Sequence, residues 1–178
     1  KGNGVNLVSN MDVDGDFRLQ KVWQLNNSTI TVAGNLTSVD TRSGSGASGS
    51  AGFVLDGTGT QTIDMNGGSG RLSNGDLFIN KASGTVQLAS NLALDASGQS
   101  LILQSGTFDA ADYTVTVNNG VQLVGGTYLA NGTIAGSLAV NSGGILQYNV
   151  TGYGMGQYDT LAVTGSVTLG ADSHLGVD

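Results

Sequence analysis

The chain has 178 residues, 13 of them Asp and none Glu, with only 6 Lys or Arg and a formal net charge of −7. That balance argues against nucleic acid, whose phosphates need clustered Lys and Arg, and against anionic membrane surfaces. With 30 Gly, no Pro and no Cys, a disulfide scaffold and a thiolate metal site are excluded, and almost no helix is expected because exposed-helix formers are nearly missing.

The first candidate in chain order is MDVDGD (11–16). Asp12, Asp14 and Asp16 alternate, and oxygen-only ligands suit Ca²⁺, so these three are the candidate metal ligands and calcium the one candidate cofactor. The pattern departs from an EF-hand loop, because Gly15 precedes Asp16 and Trp23 stands at the twelfth position. The competing reading is a solvated strand face followed by an Asp-Gly turn. FRLQKVWQL (17–25) then alternates as a strand does. STITV (28–32) and GFVLDG (52–57) are strand-like and flank SGSGASGSAG (43–52). That tract reads as a loop extruded from one coil rather than an interdomain linker.

From residue 70 a repeat is legible. SGTVQL (83–88), SGTFDA (105–110) and GGTYLA (125–130) follow one another at nearly even spacing. Strand-like pieces follow such steps: VQLA (86–89), FDA (108–110), YLA (128–130), ILQY (145–148) and VTL (167–169). A second set lies between them: LFIN (77–80), LALD (92–95) with LILQ (101–104), YTVTV (113–117), SLAV (137–140) and LAV (161–163). Short apolar pieces bounded by Gly, Asn, Asp and Ser are strand signals, and an even repeat of this short length is a solenoid signal. The predicted fold is all-β, a right-handed parallel β-helix of about eight coils of roughly 20–22 residues, one domain over 1–178. Val, Leu, Ile and Phe would face inward, with Gly and Asn at positive-φ corners.

Several constellations invite chemistry. Asp109 and Asp112 could act as the acid and base of glycoside hydrolysis, but Asp112 sits where a turn residue belongs and Lys81 is almost the only cation nearby in sequence. His174 is the single His, too little for a triad or a zinc site. Thr29/Thr31, Thr58/Thr60/Thr62 and Thr114/Thr116 suggest the Thr ranks of ice-binding solenoids, though β-branched residues suit strands anyway. Tyr148, Tyr153 and Tyr158 surround GYGMGQY (152–158) and are the candidate contacts for a glycan or protein partner.

LFINKASGTVQLASNLALDASGQSLILQSGTFDAADYTVTV (77–117) resembles the Gly/Ser/Thr-rich repeats of large secreted bacterial β-helix proteins. GQYDTLAVTGSVTLGADSHLGVD (156–178) is similar to segments of autotransporter passenger domains and related surface adhesins. The resemblance implies a right-handed parallel β-helix, export to the cell surface, and an adhesive or scaffolding role. It carries over no catalytic residue. In that family the last segment runs on into further strands, so the chain is expected to be part of a longer polypeptide.

The expected function is therefore non-catalytic: an extracellular β-solenoid segment of an adhesin stalk or filament. Its expected partners are another copy, end to end, or a cell-surface glycan or protein, with no membrane-spanning segment since no long unbroken apolar run is present. The alternatives are a carbohydrate-binding or carbohydrate-cleaving β-helix protein and an ice-binding protein.

Overall fold

The computed structural model describes residues 5–20, 23–25, 27–40 and 49–178. Most of the predicted Gly/Ser loop, residues 43–48, lies outside them; at its end Ala51 is buried and Gly52 opens a strand. Among the described residues there are twenty strands and no helix. Every ladder between these strands is parallel. Parallel strands that are close in sequence require the chain to wind around an axis, and here it winds as a β-solenoid.

The strands sort into three sides. On the first, β2 (Met11–Val13), β5 (Thr29–Val32), β7 (Gly52–Leu55), β9 (Leu77–Leu88), β11 (Leu101–Asp109), β13 (Val121–Leu123), β16 (Leu138–Val140) and β19 (Val167–Leu169) stack in that order. On the second, β3 (Phe17–Leu19), β6 (Leu36–Ser38) and β8 (Gln61–Asp64) lead into the second half of β9. The second half of β11, β14 (Thr127–Leu129), β17 (Ile145–Tyr148) and β20 (His174–Val177) continue it. On the third, β10 (Leu92–Leu94), β12 (Thr114–Val117), β15 (Thr133–Ala135) and β18 (Ala162–Val163) form a separate sheet, while β1 (Val5–Leu7) and β4 (Trp23–Leu25) pair with each other.

Three details differ from expectation. Full turns number about five rather than eight: the regular three-sided winding spans β9 to β20, and between β8 and β9 no strand fills the third side. The period is not constant, since Val121 pairs Leu138 and Leu138 pairs Val167, and the second of these steps is much the longer. Corners absorb the difference, because only the strands are held in register. The stretch 17–25 is not one strand but β3 and β4 on different sides.

Alternation explains the core. Ile30, Phe53, Leu77, Leu101, Val121 and Leu138 occupy one inward column, each in register with the next, and all are buried. Each such side chain removed from water contributes about 1.5–3 kcal/mol before entropy is counted. Phe17 and Phe53 pack with ring centroids 5.7 Å apart, and Phe108 and Tyr128 at 5.3 Å, both tilted as aromatic quadrupoles prefer.

The recurring small-small-Thr step is the corner between the first and second sides. Gly84 and Gly106 both have φ near 81°, a region that costs an L-residue with a Cβ. A Cβ at Gly106 would also lie 2.7 Å from Lys81 Cβ. The Thr that follows opens the second-side half of β9 and of β11 and begins β14, and Thr85, Thr107 and Thr127 stack in register.

Asx side chains secure other corners. Asn10 Oδ1 accepts from Thr29 N at 2.9 Å, Asn35 Oδ1 from Thr62 N at 2.8 Å, Asp76 Oδ1 from Ser100 N at 2.8 Å and Asn91 Oδ1 from Thr114 N at 2.9 Å. Each satisfies a backbone donor on the following turn where a ladder bends.

Among the described residues three buried side-chain polar atoms have no hydrogen-bond partner: Asn131 Oδ1, Arg71 Nε, which faces Asp95 Oδ2 at 3.4 Å, and Tyr128 Oη. Burial, then the Asp109 charge, push the Tyr128 hydroxyl above the ordinary tyrosine value. An unpaired buried hydroxyl costs about 1–3 kcal/mol. Tyr128→Phe keeps the ring packing and is expected to raise stability by about 1 kcal/mol, read as a higher urea midpoint at unchanged slope.

The winding is open at its last turn. Val167, Leu169, Leu175 and Val177 are 52, 53, 59 and 68% exposed. Their register partners one turn earlier are Leu138, Val140, Leu146 and Tyr148, of which the first three are buried. The four side chains continue inward columns that no further turn among the described residues covers.

Candidate functional site

Asp109 and Asp112 are separated by their roles. Asp109 ends β11, and both its carboxylate oxygens accept scaffold hydrogen bonds. Gln87 Nε2 donates to Oδ2 at 2.8 Å, while Ala111 N and Asn131 Nδ2 each donate to Oδ1 at 2.8 Å. Gln87 lies one turn below Asp109 in register, and Asn131 follows the strand one turn above. Asp109 thus ties three successive turns together. Asp109→Ala is expected to cost about 2 kcal/mol, as loss of charge-assisted hydrogen bonds does, and Asp109→Asn less than half of that; paired chemical denaturation curves check both.

Asp112 sits at a left-handed corner, φ 64°, after Ala111 at 49°. Its exposed side chain turns to a different neighbourhood, that of the segment 149–160.

That segment is a projecting hairpin. Val150 and Tyr158 form an antiparallel bridge. Thr151 N donates to Gln157 O at 2.7 Å, and Gly154 N to Gln157 Oε1 at 2.7 Å. At its base Asn149 N and Nδ2 donate to Asp159 Oδ2 at 3.0 and 2.7 Å. The tip presents Tyr153 and Met155 at full exposure, with Tyr158 46% exposed. Beneath it lies a cavity of about 350 Å³ lined by Asp112, Met155, Gly156, Tyr158, Asp159 and Thr160. The lining holds two carboxylates, one aromatic ring and no cation.

Of the three tyrosines grouped by the sequence, the structure brings Tyr153 and Tyr158 to this hairpin. Tyr148 instead ends β17 and packs, partly buried, against the core. Met155 joins the tip; its isolation among glycines is the only sequence signal for it.

The acids of MDVDGD do not converge. Asp12 lies outward on β2 and Asp14 is exposed, while Asp16 Oδ1 accepts from Asn35 N at 2.7 Å, as the corner Asx residues do. Among the described residues no group of three or more His, Asp or Glu side chains is placed to hold a metal ion. His174 is exposed on β20. The Thr pairs build no continuous rank: Thr31 stands in register with Asp12 below and Val54 above. The outward column continues through Phe78 and Ile102, which with Val54 form a half-buried apolar stripe on the first side.

Sequence reasoning misses a buried polar node. Lys81, noted in the sequence only as a cation near Asp109 and Asp112, is 1% exposed. Its Nζ donates to Gln61 Oε1 at 2.6 Å and to the Gly57 carbonyl oxygen. Burial pushes its ammonium below the usual lysine value, with the Asp56 carboxylate acting in the opposite sense. No protein-family model, curated protein or solved structure matches the chain.

Proposed function

We propose that the chain is a non-catalytic, extracellular β-solenoid segment that works by stacking end to end, as a surface stalk or filament subunit. The observation that carries this reading is the repeating inward column, which the last described turn still presents uncovered. Val167, Leu169, Leu175 and Val177 expose side chains that earlier turns bury, and β19 and β20, which carry them, each pair on one edge only and offer unpaired backbone groups on the other. A further turn of the same geometry, whether from following chain or from a second copy, covers both, and stacking is the second of these. Such a contact is heterologous and does not close on itself, so it builds rods rather than dimers.

One chain stacks eight strands on its longest side, a rod of about 34 Å at about 4.8 Å per step. In negative-stain images and sedimentation velocity, rising concentration is expected to give rods several times that length. The double variant Leu169→Asp/Leu175→Asp is expected to stay folded, because both positions are already exposed, and to remain in single-chain rods. Wild-type chains that stay single across the whole concentration range would sink the stacking reading.

A second reading, adhesion to a neutral glycan, is favoured by the hairpin. Tyr153 and Tyr158 offer aromatic faces to a sugar ring, and Asp112 and Asp159 offer hydroxyl acceptors without a cation that would select an anionic sugar. Retention of Tyr153→Ala and Tyr158→Ala on immobilised neutral oligosaccharides, compared with wild type, tests it.

A further inference from the structure

The wall between β8 and β9 holds an amine that neither stacking nor adhesion uses. Lys81 and Gln61 are 1% and 2% exposed. The Gln61 carboxamide is fixed on both N–H bonds: Nε2 donates to Val32 O at 2.9 Å and to Gly34 O at 2.5 Å. The remaining acceptor, Oε1, is the atom that Lys81 Nζ touches at 2.6 Å. The carbonyl carbon lies one C=O bond, about 1.2 Å, beyond that oxygen. That contact is a hydrogen bond donated to the oxygen, and an amine tethered beside a fixed carboxamide escapes the entropy of bimolecular encounter once it swings from the oxygen to the carbon. Burial favours the neutral amine, which is the nucleophilic form.

We propose that Lys81 and Gln61 join in an intramolecular isopeptide bond that staples two successive turns. The Nζ lone pair adds to Gln61 Cδ, and the new Nζ–Cδ bond forms. The Cδ–Nε2 bond then breaks, one proton passes from Nζ to Nε2, and ammonia leaves. Amine and carboxamide become secondary amide and ammonia; nothing is oxidised or reduced, and no co-reactant is consumed. The Val32 and Gly34 carbonyls hold the leaving nitrogen.

The wild-type chain decides the matter by mass spectrometry. The expected intact mass is lower than the sequence mass by one ammonia. Trypsin cuts after Arg42 and Arg71, so Gln61 travels on peptide 43–71 and Lys81 on the peptide that starts at Leu72. The expected product is a branched species joining these two, uncut after Lys81. Lys81→Arg keeps a donor but cannot form the amide, and it is expected to give the full mass and separate peptides. Cyclised Asn-Gly sites also lose ammonia, so the branched fragment and not the mass alone is the criterion. Free peptide 43–71 with cleavage after Lys81 in the wild-type chain would overturn the proposal.

Discussion

Gly57→Ala is expected to lose at least about 3 kcal/mol, the upper end of over-packing costs, whereas Gly59→Ala, two positions away, stays within about 0.5 kcal/mol of wild type. A Cβ at Gly57 would overlap the Ala33 carbonyl oxygen and stand 2.9 Å from its carbon. Both are backbone atoms of the preceding turn, so relief requires the turns to part. The residues around them cannot easily move: Gly57 O accepts from Lys81, and Gln61, whose Cδ would lie 3.1 Å from the new Cβ, bridges back to Val32 and Gly34. At Gly59 a Cβ would meet nothing within 4 Å. Chemical denaturation of the two variants, followed by circular dichroism, separates close approach of turns from any general intolerance of side chains in this corner.

The second large effect is Phe53→Ala. Phe53 is buried in the inward column between Ile30 and Leu77 and packs on Phe17 from the second side. Truncation removes the ring and leaves a cavity that parallel ladders above and below cannot collapse into, a cost of about 3–5 kcal/mol. In a solenoid each turn touches only its neighbours, so stability is close to a sum of turn and interface terms. The damage is therefore expected to be local. Amide exchange is expected to accelerate in β3, β5, β7 and the first half of β9, while β13 to β16 keep wild-type protection. Uniform loss of protection along the whole chain would contradict nearest-neighbour stabilisation here.

The strands are legible in the sequence because inward and outward residues alternate and because small corner residues punctuate them. SGT before VQLA and before FDA marks the corner at Gly84 and Gly106, and the all-β solenoid follows from their spacing. What the repeat does not reveal is the third side. LALD and LILQ look alike in sequence, yet β10 and β11 lie on different sides, since alternation says which residues point inward but not around which corner. Lys81 is illegible for a similar reason. It stands where a strand-like piece runs out, as surface lysines do, and its partners Gly57 and Gln61 lie a full turn earlier in the chain. Tyr148 is separable from Tyr153 and Tyr158, because it shares parity with buried Leu146 in ILQY. The alternation in MDVDGD does reflect a strand, but its metal reading rests on composition, and the structure spends Asp16 on a neighbouring turn.

The unequal steps on either side of Leu138, to Val121 below and to Val167 above, bear on how such a chain can diverge. Register is kept although the second step carries the whole hairpin at 149–160. Added length therefore stays where it is inserted and does not propagate along the axis. Each doubling of such a loop costs only about 0.6 kcal/mol in closure entropy. A lineage of these chains can try new hairpins at one corner while the carrier keeps its shape, and recognition can evolve on a timetable of its own, independent of the rod that displays it.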